Sequence, residues 1–308
     1  MKKQQKNSYY TRINHNILSV LSKWWKRLKP CGTLNLALAE DGYARLMEFH
    51  KPAWYMLLIL PIWWMIAFTA TGALEMVLFS SVFATGAIII RGAGCVSHAL
   101  ASTILDNSHP ASESKTITLL LSLLVIACLM LTILPQTPML IGYICVALTI
   151  TYPFLKKHIL YPQITLSFIV NLGIFIAYFT ISSSPSFKPF LVYLAAVLWR
   201  IGYDVTNTPQ GEATNLNMWL KAIAMKYNKE LPALVWNIYQ TSIVLLVIVG
   251  LNNHLNIMFY IFIGLGVYHL YWRVEDWDSS NTTDDCIQLK SNICFGWMVL
   301  LAILAGKL

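Results

Sequence analysis

One pattern dominates the chain and leaves few folds open: runs of about 20 mostly apolar residues recur from residue 53 to the C-terminal end, separated by polar segments. A helix of that length, rising 1.5 Å per residue, spans roughly the 30 Å of hydrocarbon in a bilayer. Lipid offers backbone N–H and C=O groups no partners, so each run must satisfy its own bonds as a helix. The alternating segments of about ten residues that build a membrane barrel are not seen. The runs predict spans at 53–72, 74–104, 117–135, 138–155, 162–182, 188–204, 233–251, 254–272 and 292–306. The second is long enough to project beyond the bilayer, and the last is short. Composition agrees, with 57% hydrophobic and 12% charged residues, against about 25% charged in soluble domains. In water such a chain would expose large apolar patches. The expected fold class is an all-α integral membrane protein with nine transmembrane helices.

Charge sets the expected orientation. With the N-terminus in the cytoplasm, the inner segments are 1–52, 105–116, 156–161, 205–232 and 273–291, and they hold 18 of the 22 Lys and Arg residues. The opposite side holds Lys188 and Lys307, while Arg91 and Arg200 fall inside spans. This is the positive-inside asymmetry of an inner, cytoplasmic-type membrane, with the C-terminus on the far side. The net charge of +8 therefore reads as membrane topology rather than nucleic-acid binding. The inner loops are long and polar, so chemistry is expected on that side. The expected division is a basic tail, 1–51, and a membrane domain, 52–308. Within the tail, Ile17–Leu28 (ILSVLSKWWKRL) is apolar on one side and basic on the other, which fits either a helix lying flat on an anionic leaflet or a tethered tail. No cleavable signal sequence is expected. The six cysteines show no zinc spacing and read as small buried hydrophobes.

The ionisable residues inside spans carry the functional information, because a charge at membrane depth costs at least about 2.5–3.5 kcal/mol. Arg91, in IIIRGAGC, faces either an anion or a structural ion-pair partner, and Gly92 and Gly94 beside it permit close helix approach. Arg200 and Asp204 share one helix face at a spacing of four. They form an internal salt bridge, or Asp204 points into a cytoplasmic cavity and holds a cation. Asp106 ends the second span, and two carboxylates at inner helix ends can share Mg²⁺ with a diphosphate. Asn171 in mid-span is helix–helix glue or a substrate contact. The acidic stretch 273–291 reads as a solvated loop.

Four segments carry a family resemblance. These are Arg91-Gly92-Ala93-Gly94-Cys95; Tyr152–Lys157 (YPFLKK) with Tyr161-Pro162-Gln163 and Asn171-Leu172-Gly173; Ala195–Asp204 (AAVLWRIGYD); and Tyr268–Trp272 (YHLYW) with Ser291-Asn292 and Gly296. Over roughly residues 44–306 the chain resembles the UbiA-type membrane prenyltransferases, in particular 4-hydroxybenzoate polyprenyltransferases of ubiquinone synthesis. The resemblance implies nine helices around a central cavity opening to the cytoplasm. It also implies transfer of a polyprenyl group from its diphosphate to an aromatic acid, with Mg²⁺ as cofactor. On that reading Asp106 and Asp204 are the catalytic and metal-binding acids, and Lys51, Arg91, Lys156, Asn171 and Tyr203 are substrate-binding residues.

The family's acids are largely replaced. The first motif, Asn-Asp-x-x-Asp-x-x-x-Asp, falls on His98, Ala99, Ser102 and Asp106, and the basic run that follows it is missing from Asn107–Ser114. The second, Asp-x-x-Tyr-x-x-x-Asp, falls on Asp204, Asn207 and Gly211, followed by Glu212, Ala213, Thr214 and Asn215. A second expectation therefore stands beside the first: a relative that binds a polyprenyl or quinone lipid, or a partner, without turnover. A transporter is disfavoured, because no inverted repeat or matched pair of broken helices is visible.

Overall fold

The computed structural model describes residues 42–49, 51–106, 113–159, 161–182, 184–206, 231–276 and 283–308. The amphipathic stretch Ile17–Leu28 and the positions Asn207, Gly211 and Glu212 lie outside the described residues. Among those described, every regular element is a helix. In chain order they are α1 (Gly42–Leu46), α2 (Pro52–Thr69), α3 (Ala73–Asp106), α4 (Glu113–Thr132), α5 (Gln136–Leu155), α6 (Pro162–Val170), α7 (Gly173–Ile181), α8 (Lys188–Thr206), α9 (Leu231–Asn252), α10 (Ile257–Glu275) and α11 (Thr283–Lys307).

Among the described residues, eight helical segments are long and apolar enough to cross a membrane, counting Pro162–Ile181 as one. The remaining expected span, 188–204, is the 19-residue helix α8. Arg200 and Asp204 within it lower its mean hydropathy. It nevertheless packs in the middle of the bundle, against α9, α2, α6 and α7.

The structure changes the sequence-based picture in two places. The expected continuous span 162–182 is broken at Asn171-Leu172, where backbone bonds shorten to Leu172 N–H to Ile169 O (3.2 Å) and Ile174 N–H to Asn171 O (3.0 Å). The Asn171 amide donates to Ser167 O at 2.8 Å, inside its own chain segment. A polar side chain bonded to nearby backbone offers an alternative to the helical ladder, which is how such residues interrupt helices. The last helix also starts before 292: residues 283–291, expected to be loop, are the first turns of α11. Their polar residues hide the helix from an apolarity criterion, but Gln288, Ser291 and Asn292 are buried in the bundle. Asn292 accepts from Tyr239 of α9 at 3.0 Å.

Helix α2 is apolar on all sides and buries 12 of its 18 residues, as expected of a helix surrounded by others. Its Trp64 is fully buried, lies 5.0 Å from Trp199 of α8 between ring centroids, and donates to the carbonyl of Gly296 in α11 at 2.8 Å. Trp199 in turn meets Phe295 of α11 at 6.2 Å. These rings join α2, α8 and α11 into one core. Ser242 of α9 ties itself to α8 through Ala195 O at 2.7 Å. By contrast α3 and α4 show large apolar side chains on the outside, including Leu74, Val77, Leu121 and Leu129, the surface a bilayer solvates.

Candidate functional site: a cation-lined cavity

A cavity of about 960 Å³ opens at the end of the bundle where α1, the start of α2, the end of α3, the start of α4 and the end of α5 meet. Arg45, Lys51, Arg91, Lys115 and Arg200 all line it. Its wall runs inward from Tyr43, Arg45 and Lys115 to Leu58, Ile90, Cys145 and Val170. The mouth is thus charged and the floor apolar.

Residues 42–49, at the end of the expected tail, form α1 and a turn against the membrane helices. A small residue admits them: a Cβ on Gly92 would collide with the Met47 side chain, while Gly94 lets α5 approach, a Cβ there standing 3.1 Å from Thr149. Close packing of Met47 over Gly92 sets Glu48 opposite Arg91. Glu48 sits in the left-handed region at φ 55°, an uncommon conformation for a residue with a side chain. One carboxylate oxygen accepts from Lys51 at 2.7 Å and the other from Arg91 at 3.1 Å. The Arg91 guanidinium lies 5.8 Å from the Trp54 ring and 5.3 Å from that of Tyr55, within cation–π range. Arg91 is therefore both cavity-facing and ion-paired.

Burial pushes the Glu48 carboxyl up, but the bond from Lys51 and the charges of Lys51 and Arg91 outweigh it and hold the group below its ordinary 4.5. A carboxyl lowered in the folded state adds stability above its unfolded value and loses it as the pH falls through the folded value. Acid below about pH 4.5 is expected to lower the melting temperature in part through this group. Thermal melts of Glu48→Gln between pH 7 and pH 3 check this: the variant should show a shallower acid dependence than the parent.

The sequence-predicted residues separate into three groups. Lys51 and Arg91 line the cavity. Lys156 reaches its wall through His98, 2.7 Å away. Tyr203 and Asn171 are buried outside the lining, with Tyr203 edge-on to Trp54 at 6.0 Å. Arg200 lines the cavity and pairs through Nε with Asp204 Oδ1 at 3.1 Å, and Ser167 donates to the same carboxylate at 3.4 Å. Asp106 ends α3, and its side chain lies outside the described residues. Three contributors escaped the sequence reading as site residues: Arg45, Glu48 and Lys115. Each looked like an ordinary loop charge, and the available signal was only that each abuts an apolar span.

The described residues do not fit a Mg²⁺ site. Among them no group of three His, Cys, Asp or Glu side chains lies close enough to hold a metal ion. The carboxylate on the described cavity wall, Glu48, already answers two cations, and Asp204 answers Arg200. Mg²⁺ is usually held by one or two carboxylates, with waters and substrate phosphates completing its octahedron, and both of these described carboxylates are engaged by cations instead.

Fold and cavity together define a polytopic helical membrane protein with a deep, positively charged pocket in the bundle. The family model described as UbiA prenyltransferase family matches residues 58–299, and the chain belongs to that family. A 4-hydroxybenzoate octaprenyltransferase of Actinobacillus pleuropneumoniae serotype 3 (strain JL03) is 28% identical over 283 residues, covering 86% of this chain and 94% of that protein. A mitochondrial 4-hydroxybenzoate polyprenyltransferase of Drosophila pseudoobscura pseudoobscura is 27% identical over 294 residues, covering 91% and 74%. The same fold is found in the apo structure of a UbiA homolog from Aeropyrum pernix K1, with a TM-score of 0.62 at 13% identity, covering 83% of this chain and 98% of that one. It is also found in a UbiA homolog from Archaeoglobus fulgidus bound to DMAPP and Mg²⁺, with a TM-score of 0.56 at 13% identity and coverage of 85% and 99%.

Proposed function

We propose that the protein transfers a polyprenyl group from its diphosphate to an aromatic acid such as 4-hydroxybenzoate. It would do so in a bacterial-type inner membrane with the cavity mouth toward the cytoplasm. The observation that carries this reading is the cation-lined cavity with an apolar floor, which matches an anionic headgroup joined to a hydrocarbon chain. The names of the relatives supply the acceptor. In such a transfer the bond between the allylic carbon and the diphosphate oxygen breaks, and its electron pair leaves with the diphosphate. An acceptor ring carbon then bonds to the allylic carbon, and the ring proton is lost to solvent or a nearby base. Negative charge grows on the leaving group, and fixed cations facing it in a water-poor cavity lower that barrier. That Lys51, Arg91, Arg45 and Lys115 line the cavity supports this reading, and Trp54 offers an aromatic face at the same wall. On this reading Asp204 positions Arg200 rather than touching substrate.

One observation favours a second reading, binding of the same lipid without turnover: the described residues hold no metal set, and losing metal ligands costs transition-state stabilisation. The two are separated by supplying purified protein in lipid with a radiolabelled polyprenyl diphosphate and 4-hydroxybenzoate. Prenylated product is expected, falling by about 100-fold in Arg91→Gln, a loss of roughly 2.7 kcal/mol of transition-state stabilisation. Absence of product beside an active relative in the same assay, with lipid binding retained, would establish the second reading.

A further inference from the structure

We infer that the cavity binds a diphosphate headgroup without Mg²⁺, and that Glu48 is an internal counter-ion which the headgroup displaces. The inference rests on the polyprenyl diphosphate reading above and adds to it what neutralises the anion. The lining carries Arg45, Lys51, Arg91, Lys115 and Arg200 against the carboxylate of Glu48. Asp204 neutralises Arg200 from behind. Among the described residues no carboxylate pairs with Arg45 or Lys115, and buried Nε of Arg91 has no hydrogen-bond partner. Among the described residues the mouth thus carries more positive than negative charge, and Arg91 keeps an unused donor.

Glu48 occupies the place an anion would take. Its two oxygens bridge Lys51 and Arg91 at 2.7 and 3.1 Å, as two phosphoryl oxygens bridge a Lys and an Arg. It is carried on a short turn rather than a helix, in a left-handed backbone conformation at φ 55°. That conformation caps α1: Phe49 N–H bonds to Ala44 O at 3.0 Å and Glu48 N–H to Arg45 O at 3.1 Å, so the backbone holds the carboxylate in place without the ion pairs. A diphosphate brings more negative charge and more acceptor oxygens than one carboxylate, so it outcompetes Glu48 for the same cations. Its arrival frees the Glu48 side chain from Lys51 and Arg91, while backbone bonds hold the turn itself.

The test is calorimetric titration of the full chain in lipid nanodiscs with geranyl diphosphate, in EDTA and then in Mg²⁺, with inorganic pyrophosphate as a second probe. Geranyl diphosphate is expected to bind in EDTA within about threefold of its affinity in Mg²⁺, a gap of under 1 kcal/mol. Glu48→Gln should tighten binding in EDTA by roughly tenfold, since it removes the competing charge while keeping the side-chain size. Arg45→Gln, at an exposed position that the fold tolerates, should weaken it by several-fold. Pyrophosphate binding with the same response to these variants places recognition in the headgroup, while tighter binding of the geranyl ester adds the apolar floor. Binding that appears only with Mg²⁺ overturns the metal-free site and leaves the polyprenyl diphosphate reading standing. Unchanged or weaker binding by a normally melting Glu48→Gln overturns the counter-ion role. Binding of neither probe in either buffer removes both readings.

Discussion

Asp204→Ala is expected to lower the unfolding free energy by roughly 3–5 kcal/mol, because it leaves the Arg200 charge buried without its partner. The side chains of Arg200 and Asp204 are only 8% and 14% exposed, so water can do little to compensate. Removing both charges together, as Arg200→Leu with Asp204→Leu, should cost far less than the single change, since hydrophobic replacement of a buried pair is often near neutral. Chemical unfolding in detergent micelles, run as a double-mutant cycle, measures the coupling. The same cycle decides what Asp204 does. If Asp204→Ala keeps normal stability yet abolishes transfer, the acid acts on substrate or metal, and its assignment as a positioning residue for Arg200 fails.

Trp64→Ala should be comparably damaging, at about 3–5 kcal/mol for a fully buried aromatic. Three losses coincide at this position. The indole packs on Trp199 at 5.0 Å. The cavity left behind opens at the junction of α2, α8 and α11, where Trp199 and Phe295 are themselves fully buried. The Gly296 carbonyl loses the donor that meets it at 2.8 Å, and an unsatisfied buried acceptor adds its own cost. Trp64→Phe keeps most of the ring but not the donor, and should recover more than half of the loss. The same unfolding measurement checks both variants, and equal stability of Trp64→Phe and Trp64→Ala would show that the Gly296 bond outweighs the packing.

The relation between sequence and structure differs sharply between the frame and the site. Hydrophobic runs state their length directly, and lipid allows one backbone solution for each, so the helices of the bundle follow from counting. Where the counting misleads, a polar side chain intervenes. Asn171 breaks one run by bonding to Ser167 O. Gln288, Ser291 and Asn292 extend α11 past the apolar boundary because neighbouring helices, not water, surround them. Arg91, Arg200 and Asp204 stood out in the sequence because an ionisable group inside a span is too costly to be idle. Even so, their spacing left open whether Arg91 met an anion or a partner, and which of Arg200 and Asp204 faced the cavity.

Those choices belong to the tertiary structure. Glu48 lies 43 residues from Arg91 and reaches it because Gly92 leaves room for Met47 of the 42–49 turn against α3. No periodicity in the sequence encodes that meeting, and the same is true of Arg45 and Lys115 sharing one cavity mouth. The sequence by itself determined a helical membrane bundle, its basic end and the loss of the family's acids at His98, Ala99, Ser102, Asn207 and Gly211. Only the fold decided that the remaining charges form a positively lined pocket with Glu48 as its internal anion, because ion pairing acts through space over a few ångströms while hydrophobic patterning acts along the chain.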